Sequence, residues 1–412
     1  MHKLFGKIKK LRTNENILIA VNVLFNSKSS FMGIFFMSFM ISVSLKSSPM
    51  SYLAYELSVY AFCGILCVIL SDILRSHPVN SWRASMFFSI VRILAVITID
   101  PNFIFFPIVI GFLGGLESQL YWRPKDFLEI REVSNARRDR FNNIHMILVE
   151  ITKIVMPIVL GIAISDEGYE RAAIIILIIS IVQFSLSFLL RPSKKIKVEA
   201  RSLRESLHFA VAHKRVRQTL WMQALRGMIL TGCAYEIVTQ LNIYQSDNSN
   251  VELGGFQSCA SVIAIILLLI YRRIKKKNLA AGQAMVYALL PAIVLLPISA
   301  IIFPGNFLIA IVLYIYYRAV VHPLFSNSVF DVYYKDAIKK AIHDDAYRIQ
   351  IDILGELWLC IGRVISIIPI FIFIGLDRQD LVLPTIIVQS IIAPIIIIAI
   401  RKSETSPALD KQ

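Results

Sequence analysis

Runs of about 20 apolar residues recur along this chain, and a helix of that length crosses ~30 Å of hydrocarbon at ~1.5 Å per residue. They fall near residues 15–42, 51–72, 84–99, 102–122, 142–164 and 171–190, then 218–243, 253–271, 279–303, 306–330, 349–374 and 382–400. A lipid-exposed segment must satisfy its own backbone hydrogen bonds. The runs therefore predict an all-α polytopic membrane protein of about 12 transmembrane helices. Composition agrees: of 412 residues 56% are hydrophobic and 17% charged, and mean hydropathy is +0.66. Secreted, fibrous and disordered classes are excluded on the same ground.

The net charge of +15 is mostly a statement about topology. Of the 43 Lys and Arg residues, 34 lie in the two tails and in the loops after even-numbered spans, whereas only Lys46, Arg171 and Arg378 lie in the opposite loops. Cytoplasmic loops carry the excess of Lys and Arg, so both termini are expected in the cytoplasm. Nucleic acid is accordingly not expected as a partner, and membrane lipids are. The basic start MHKLFGKIKKLR has no small-residue cleavage site behind it and reads as a tail over residues 1–14.

The longest interior hydrophilic stretch, 191–217, carries nine basic and two acidic residues. It separates six spans from six. Leu203, Leu207, Phe209 and Val211 give its later part the spacing of a surface-lying amphipathic helix with basic residues toward lipid headgroups; a plain basic tether is the other reading. Cys63, Cys67, Cys233, Cys259 and Cys360 all lie in apolar segments. Cys63 and Cys67 are four apart on one helical face, but nothing near that pair offers His or carboxylate ligands at matched spacing, so packed thiols are expected and no metal site.

Two six-span halves joined by a basic linker resemble the major facilitator superfamily of secondary transporters, whose halves are parallel repeats around a midplane site. The resemblance implies six-helix bundles over 15–190 and 218–400, with the linker at 191–217 and tails at 1–14 and 401–412. In the loop after span 2, the family's Gly-x3-Asp-Arg/Lys-x-Gly-x-Arg/Lys-Arg/Lys signature survives as Asp72, with Arg75 and Arg83 as displaced cations; Asp72 and Arg75 are the gating-loop candidates. Of the Gly-Pro-x-x-Gly-Gly element in span 5, only Pro157 and Gly161 remain. GFLGGLESQLYWRPKDFLEIREVSNARRDRF, and the Glu-x5-Gly-Arg pattern met by Glu356, Gly362 and Arg363, are similar to a group of bacterial members. That similarity implies a bacterial inner membrane.

An ionisable side chain at the bilayer centre costs at least ~2.5 kcal/mol unless paired, hydrated or snorkelling, so charges within spans are where function is sought. Spans 1, 4, 7 and 10 line the cavity in the family, which makes Lys28, Glu117, Arg226, Glu236 and Arg318 candidates for substrate binding or coupling. Arg318 is placed to bind a carboxylate or phosphate through its planar fork, or to bridge to Glu117 or Glu236. Glu150 and Lys153, three apart, either neutralise one another or handle a proton. Glu356 and Arg363 lie two turns apart, each free to meet another span. Arg92, in the more peripheral span 3, reads as structural, and Glu56 as interfacial.

Together these features predict a secondary transporter, not an enzyme. It would move a small anionic or zwitterionic solute by alternating access with proton or other ion coupling, and with no catalytic residue, cofactor or metal. A transporter-fold scaffold or sensor, and a lipid-modifying enzyme using His145, His322 or His343, are the alternatives.

Overall fold

A computed structural model describes residues 11–43, 50–191, 203–230, 249–277, 307–316, 318–320 and 345–378, with a few isolated positions besides. The run at 279–303, most of that at 382–400, and Glu236, His322 and His343 lie outside the described residues. Every regular element among the described residues is helical. Six of these helices are long and apolar enough to cross a membrane.

The first span contains α1 (Thr13–Ser30), a π-helical turn (Phe31–Phe35) and α2 (Phe36–Val43). Its polar stretch does not break the helix, because its side chains bond back to the turn before. Asn26 Nδ2 donates to the Asn22 carbonyl at 2.8 Å, and the Ser27, Ser29 and Ser30 hydroxyls donate to the carbonyls four residues earlier. There follow α3 (Met50–Ile69), the short α4 (Ser71–Ser76), α5 (Pro78–Thr98), α6 (Phe106–Glu132) and α7 (Asn135–Ser187). α7 is two spans meeting at Gly168, whose φ of 82° is open to glycine at no steric cost. The sequence runs had parted at the same place, between 164 and 171.

Beyond the linker lie α8 (Leu203–Ala212), α9 (Lys214–Leu230), α10 (Ser249–Lys277), α11 (Phe307–Tyr316) and α12 (Asp345–Gly375). α8 is a helix within the linker, and its two sides differ. Ser206 and Ala210 are buried, with Phe209 packed toward Val216, Leu220, Ile351 and Leu354, while Leu207 and Val211 stay 46% and 58% exposed.

Among lipid tails, helices associate by close packing and not by exclusion from water, so small residues belong where backbones meet. α3 packs on α6 and α12, α7 on α1 and α10, and α9 on α12. A Cβ on Gly362 would lie 1.8 Å from the Ala224 carbonyl oxygen, and one on Gly227 2.2 Å from that of Leu359. α9 and α12 are thus in backbone contact. Between α7 and α10, Pro157 has no N–H to offer the Lys153 carbonyl, and the Ser261 hydroxyl reaches that oxygen at 3.4 Å.

Two apolar clusters occupy opposite ends of the first half. One gathers Phe31, Phe35, Phe36, Tyr52, Tyr55, Ile93 and Phe106; the other gathers Leu18, Phe25, Trp82, Met86, Tyr121 and Phe141. On α1, α5 and α6 the layer between them falls at residues 26–30, 87–92 and 111–120.

Candidate functional site

That layer holds a buried ionic cluster. Glu117 on α6 receives Lys28 Nζ of α1 at 2.6 Å on one carboxylate oxygen and an Arg92 terminal nitrogen of α5 at 2.9 Å on the other. The side chains of Lys28, Glu117 and Arg92 are 4%, 7% and 10% exposed, so water can do little to solvate them. Lys28 also donates to the Ser89 hydroxyl at 2.7 Å and lies 4.5 Å from the Phe25 ring centre. Arg92 donates to the Tyr55 hydroxyl on α3. Its guanidinium fills a slot left by Gly114, where a Cβ would sit 3.0 Å from Cζ. Four helices therefore contribute to one constellation at mid-depth.

A second charged group runs from this layer along α3 and α12. The Tyr52 hydroxyl donates to Glu56 at 3.0 Å, and Arg363 stacks 4.7 Å from the Tyr60 ring centre. Farther along, Arg123 of α6 meets Glu356 at 3.5 Å and donates to the Asp352 carbonyl. Summed over both groups, Lys28, Arg92, Arg123 and Arg363 face the carboxylates of Glu56, Glu117, Asp352 and Glu356, four charges of each sign among the described residues.

Several expectations change. Arg318 bridges no carboxylate on Glu117, which already holds two cations; Arg318 donates to the Gly33 carbonyl at 2.9 Å and lies 5.7 Å from the Tyr314 ring centre. Arg92, read from sequence as structural, shares the Glu117 carboxylate with Lys28, a pairing the sequence reading did not foresee. Glu56 is half-buried on α3 and accepts a hydrogen bond from the Tyr52 hydroxyl. Cys63 does have ligand-type companions, because folding brings Cys360 and Glu356 beside it.

The other candidates stand apart from the cluster. Glu150 and Lys153 pair with each other at 2.9 Å, as their spacing allowed. Arg226 donates to Gln223 at 3.4 Å. Asp72 is exposed on α4, a helical turn where a loop was expected, and the Arg75 side chain lies outside the described residues. His145 stacks on Phe141 with ring centres 5.9 Å apart, a packing arrangement.

Sequence reasoning missed Tyr55, Ser89, Gln119 and Arg123. Gln119 was visible as a lone amide two residues from Glu117 in an apolar run.

No protein-family model matches the chain. It is 24% identical over 288 residues to the uncharacterized protein YqgE of Bacillus subtilis (strain 168), a match spanning 67% of this chain and 63% of that protein. Its fold is similar to that of a bacterial homologue of the iron transporter ferroportin in inward-facing state, with TM-score 0.68 and 13% identity over 95% of this chain and 99% of that one. It is also similar to the nucleoside transporter NupG, with TM-score 0.67 and 13% identity over 94% and 98%. The POT family transporter PepTSo gives TM-score 0.65 and 10% identity over 96% and 99%. These likenesses establish an all-α fold of the major facilitator type in a multi-pass membrane protein. At such identities they speak to fold and not to cargo.

Proposed function

We propose that this chain is a secondary transporter that moves a small anionic or zwitterionic solute by alternating access. Its two six-helix bundles, 15–190 and 218–400, would rock around the mid-depth layer, with both termini in the cytoplasm of a bacterial cell and the proton as coupling ion. One observation carries the reading: Lys28 and Arg92 converge on the two oxygens of the single Glu117 carboxylate, in a layer where water can do little to solvate them. A cargo carboxylate or phosphate would compete with Glu117 for charge-assisted hydrogen bonds from the same two side chains.

The fold alone does not choose a cargo, since a bacterial homologue of the iron transporter ferroportin, the nucleoside transporter NupG and the POT family transporter PepTSo are all similar to it. What favours an anionic group is that two buried cations share the Glu117 carboxylate. Desolvating each of these ions costs roughly several kcal/mol before pairing returns it, a cost a binding role gives a reason to bear.

The test is binding followed by transport. Purified protein is melted in the presence of carboxylate- and phosphate-bearing solutes and of their neutral analogues, and solutes that raise the melting point are carried into proteoliposome uptake. Anionic members are expected to stabilise the wild type, and Lys28→Met is expected to lower uptake of the best of them at least about tenfold, the equivalent of ~1.4 kcal/mol. Stabilisation by neutral analogues alone, or unchanged uptake by Lys28→Met, refutes the anionic cargo. Dissipating the pH gradient and membrane potential should abolish accumulation above equilibrium; persistence of accumulation refutes proton coupling.

A further inference from the structure

Cys63 on α3 faces Glu356 and Cys360 on α12, the latter two one helical turn apart and hence on one face. The two sulfurs and a carboxylate oxygen of Glu356 all lie within 4.8 Å of one another. α3 and α12 come this close because position 64 is glycine: a Cβ there would stand 3.3 Å from the Cys360 Cβ. Both cysteines are free thiols, 2% and 1% exposed.

A second observation points into the same spot. Gln119 of α6 is 2% exposed and donates Nε2 to the Cys63 sulfur at 2.9 Å, while its Oε1 is buried without a hydrogen-bond partner among the described residues. The two ends of a glutamine amide exchange by a half-turn of one torsion, which brings the oxygen to the place the nitrogen holds beside Cys63. After that half-turn the oxygen faces the sulfurs. Four donor groups then surround one point: two sulfurs and two oxygens.

We infer that Cys63, Cys360, Glu356 and Gln119 form a binding site for one thiophilic divalent cation of the zinc class, bridging α3 and α12. The donor set decides the class, because thiolates favour borderline and soft metals over Mg2+ and Ca2+, which take oxygen ligands. Size fits as well. With Zn–S bonds of ~2.3 Å, two sulfurs on a tetrahedral metal stand about 3.8 Å apart, so a group whose ligand atoms all lie within 4.8 Å need contract by no more than about 1 Å. On binding, each thiol gives up its proton to solvent, two per metal ion. Two thiolates and one carboxylate leave the loaded site with one excess negative charge, beside Arg363 and Arg123. Glu356, its side chain 30% exposed, is the point of entry.

The site lies outside the Lys28–Glu117–Arg92 cluster and stands whether or not the chain carries an anion. A metal held there ties α3 to α12, and with them the halves to which they belong.

The experiment uses the full chain, reduced, freed of metal and purified in detergent, in a Cys259→Ser background that removes the exposed thiol. Titration with Co2+ should produce a near-ultraviolet thiolate-to-cobalt charge-transfer band saturating at one ion per chain, and Zn2+ should displace it. Cys63→Ser and Cys360→Ser should abolish the band, and Glu356→Gln and Gln119→Leu should each weaken Zn2+ binding at least about tenfold in competition with a chromophoric chelator. Glu356→Gln keeps both thiols and the side-chain shape, so it reads the site even if a serine variant fails to fold. Absence of the band from the wild type, or Zn2+ binding unchanged by Glu356→Gln together with Cys63→Ser, overturns the proposal.

Discussion

Glu117→Gln is expected to destabilise the protein by about 3–5 kcal/mol, the range seen when one partner of a buried ion pair is removed and the other charge is left uncompensated. Here the effect is doubled in kind, since two cations lose the same carboxylate. Thermal unfolding followed by intrinsic fluorescence in detergent provides the measurement. Pairing Glu117→Gln with Lys28→Met should recover part of the loss, because one of the two stranded charges is gone. Arg92 keeps its bond to the Tyr55 hydroxyl in that double variant. The non-additivity isolates the Lys28–Glu117 coupling. Independent, additive effects of the two substitutions would show that the pair does not hold these helices together.

Gly362→Ala tests packing without touching charge. Its added methyl would fall 1.8 Å from a carbonyl oxygen of α9, and a backbone atom cannot escape by changing rotamer. Overpacking costs 1–3 kcal/mol in typical cores, and about 3 kcal/mol or more is expected where only movement of a whole helix relieves the clash. Gly255→Ala is the control. Nothing lies within 4 Å of a Cβ there, and alanine favours helix over glycine by up to about 1 kcal/mol, so that variant should be neutral or slightly more stable. Equal melting points for the two variants would mean that α9 and α12 do not make the backbone contact described.

What the sequence disclosed follows the range of the interactions involved. Helices α3, α5, α10 and α12 appear where apolar runs predicted them, because a membrane span is decided by about 20 neighbouring residues and their surroundings matter little. The Glu150–Lys153 pair was legible for a similar reason, being a contact within one turn. The Lys28–Glu117–Arg92 cluster was not. Span membership suggested Lys28 and Glu117, but which cation Glu117 would choose depends on how α5 and α6 are rotated about their own axes, and no local period encodes that. Arg318 and Arg92 looked alike as single arginines in apolar runs. The meeting of Cys63 with Cys360 joins positions nearly 300 apart, and only the narrow contact at Gly64 brings it about.

The π-helical turn at Phe31–Phe35 has a consequence for the first span as a whole. The Phe36 amide reaches back five residues to the Phe31 carbonyl instead of four. One extra residue at 3.6 per turn shifts everything beyond it by about 100° around the axis. The span therefore has two compass bearings. Below the turn its ionic side chain points to α5 and α6; above it, Phe35, Phe36 and Met40 point where an uninterrupted helix would have shown a different face. The chain can thus tune the polar chemistry of the lower half and the aromatic lining of the upper half on separate dials, although both are cut from a single helix.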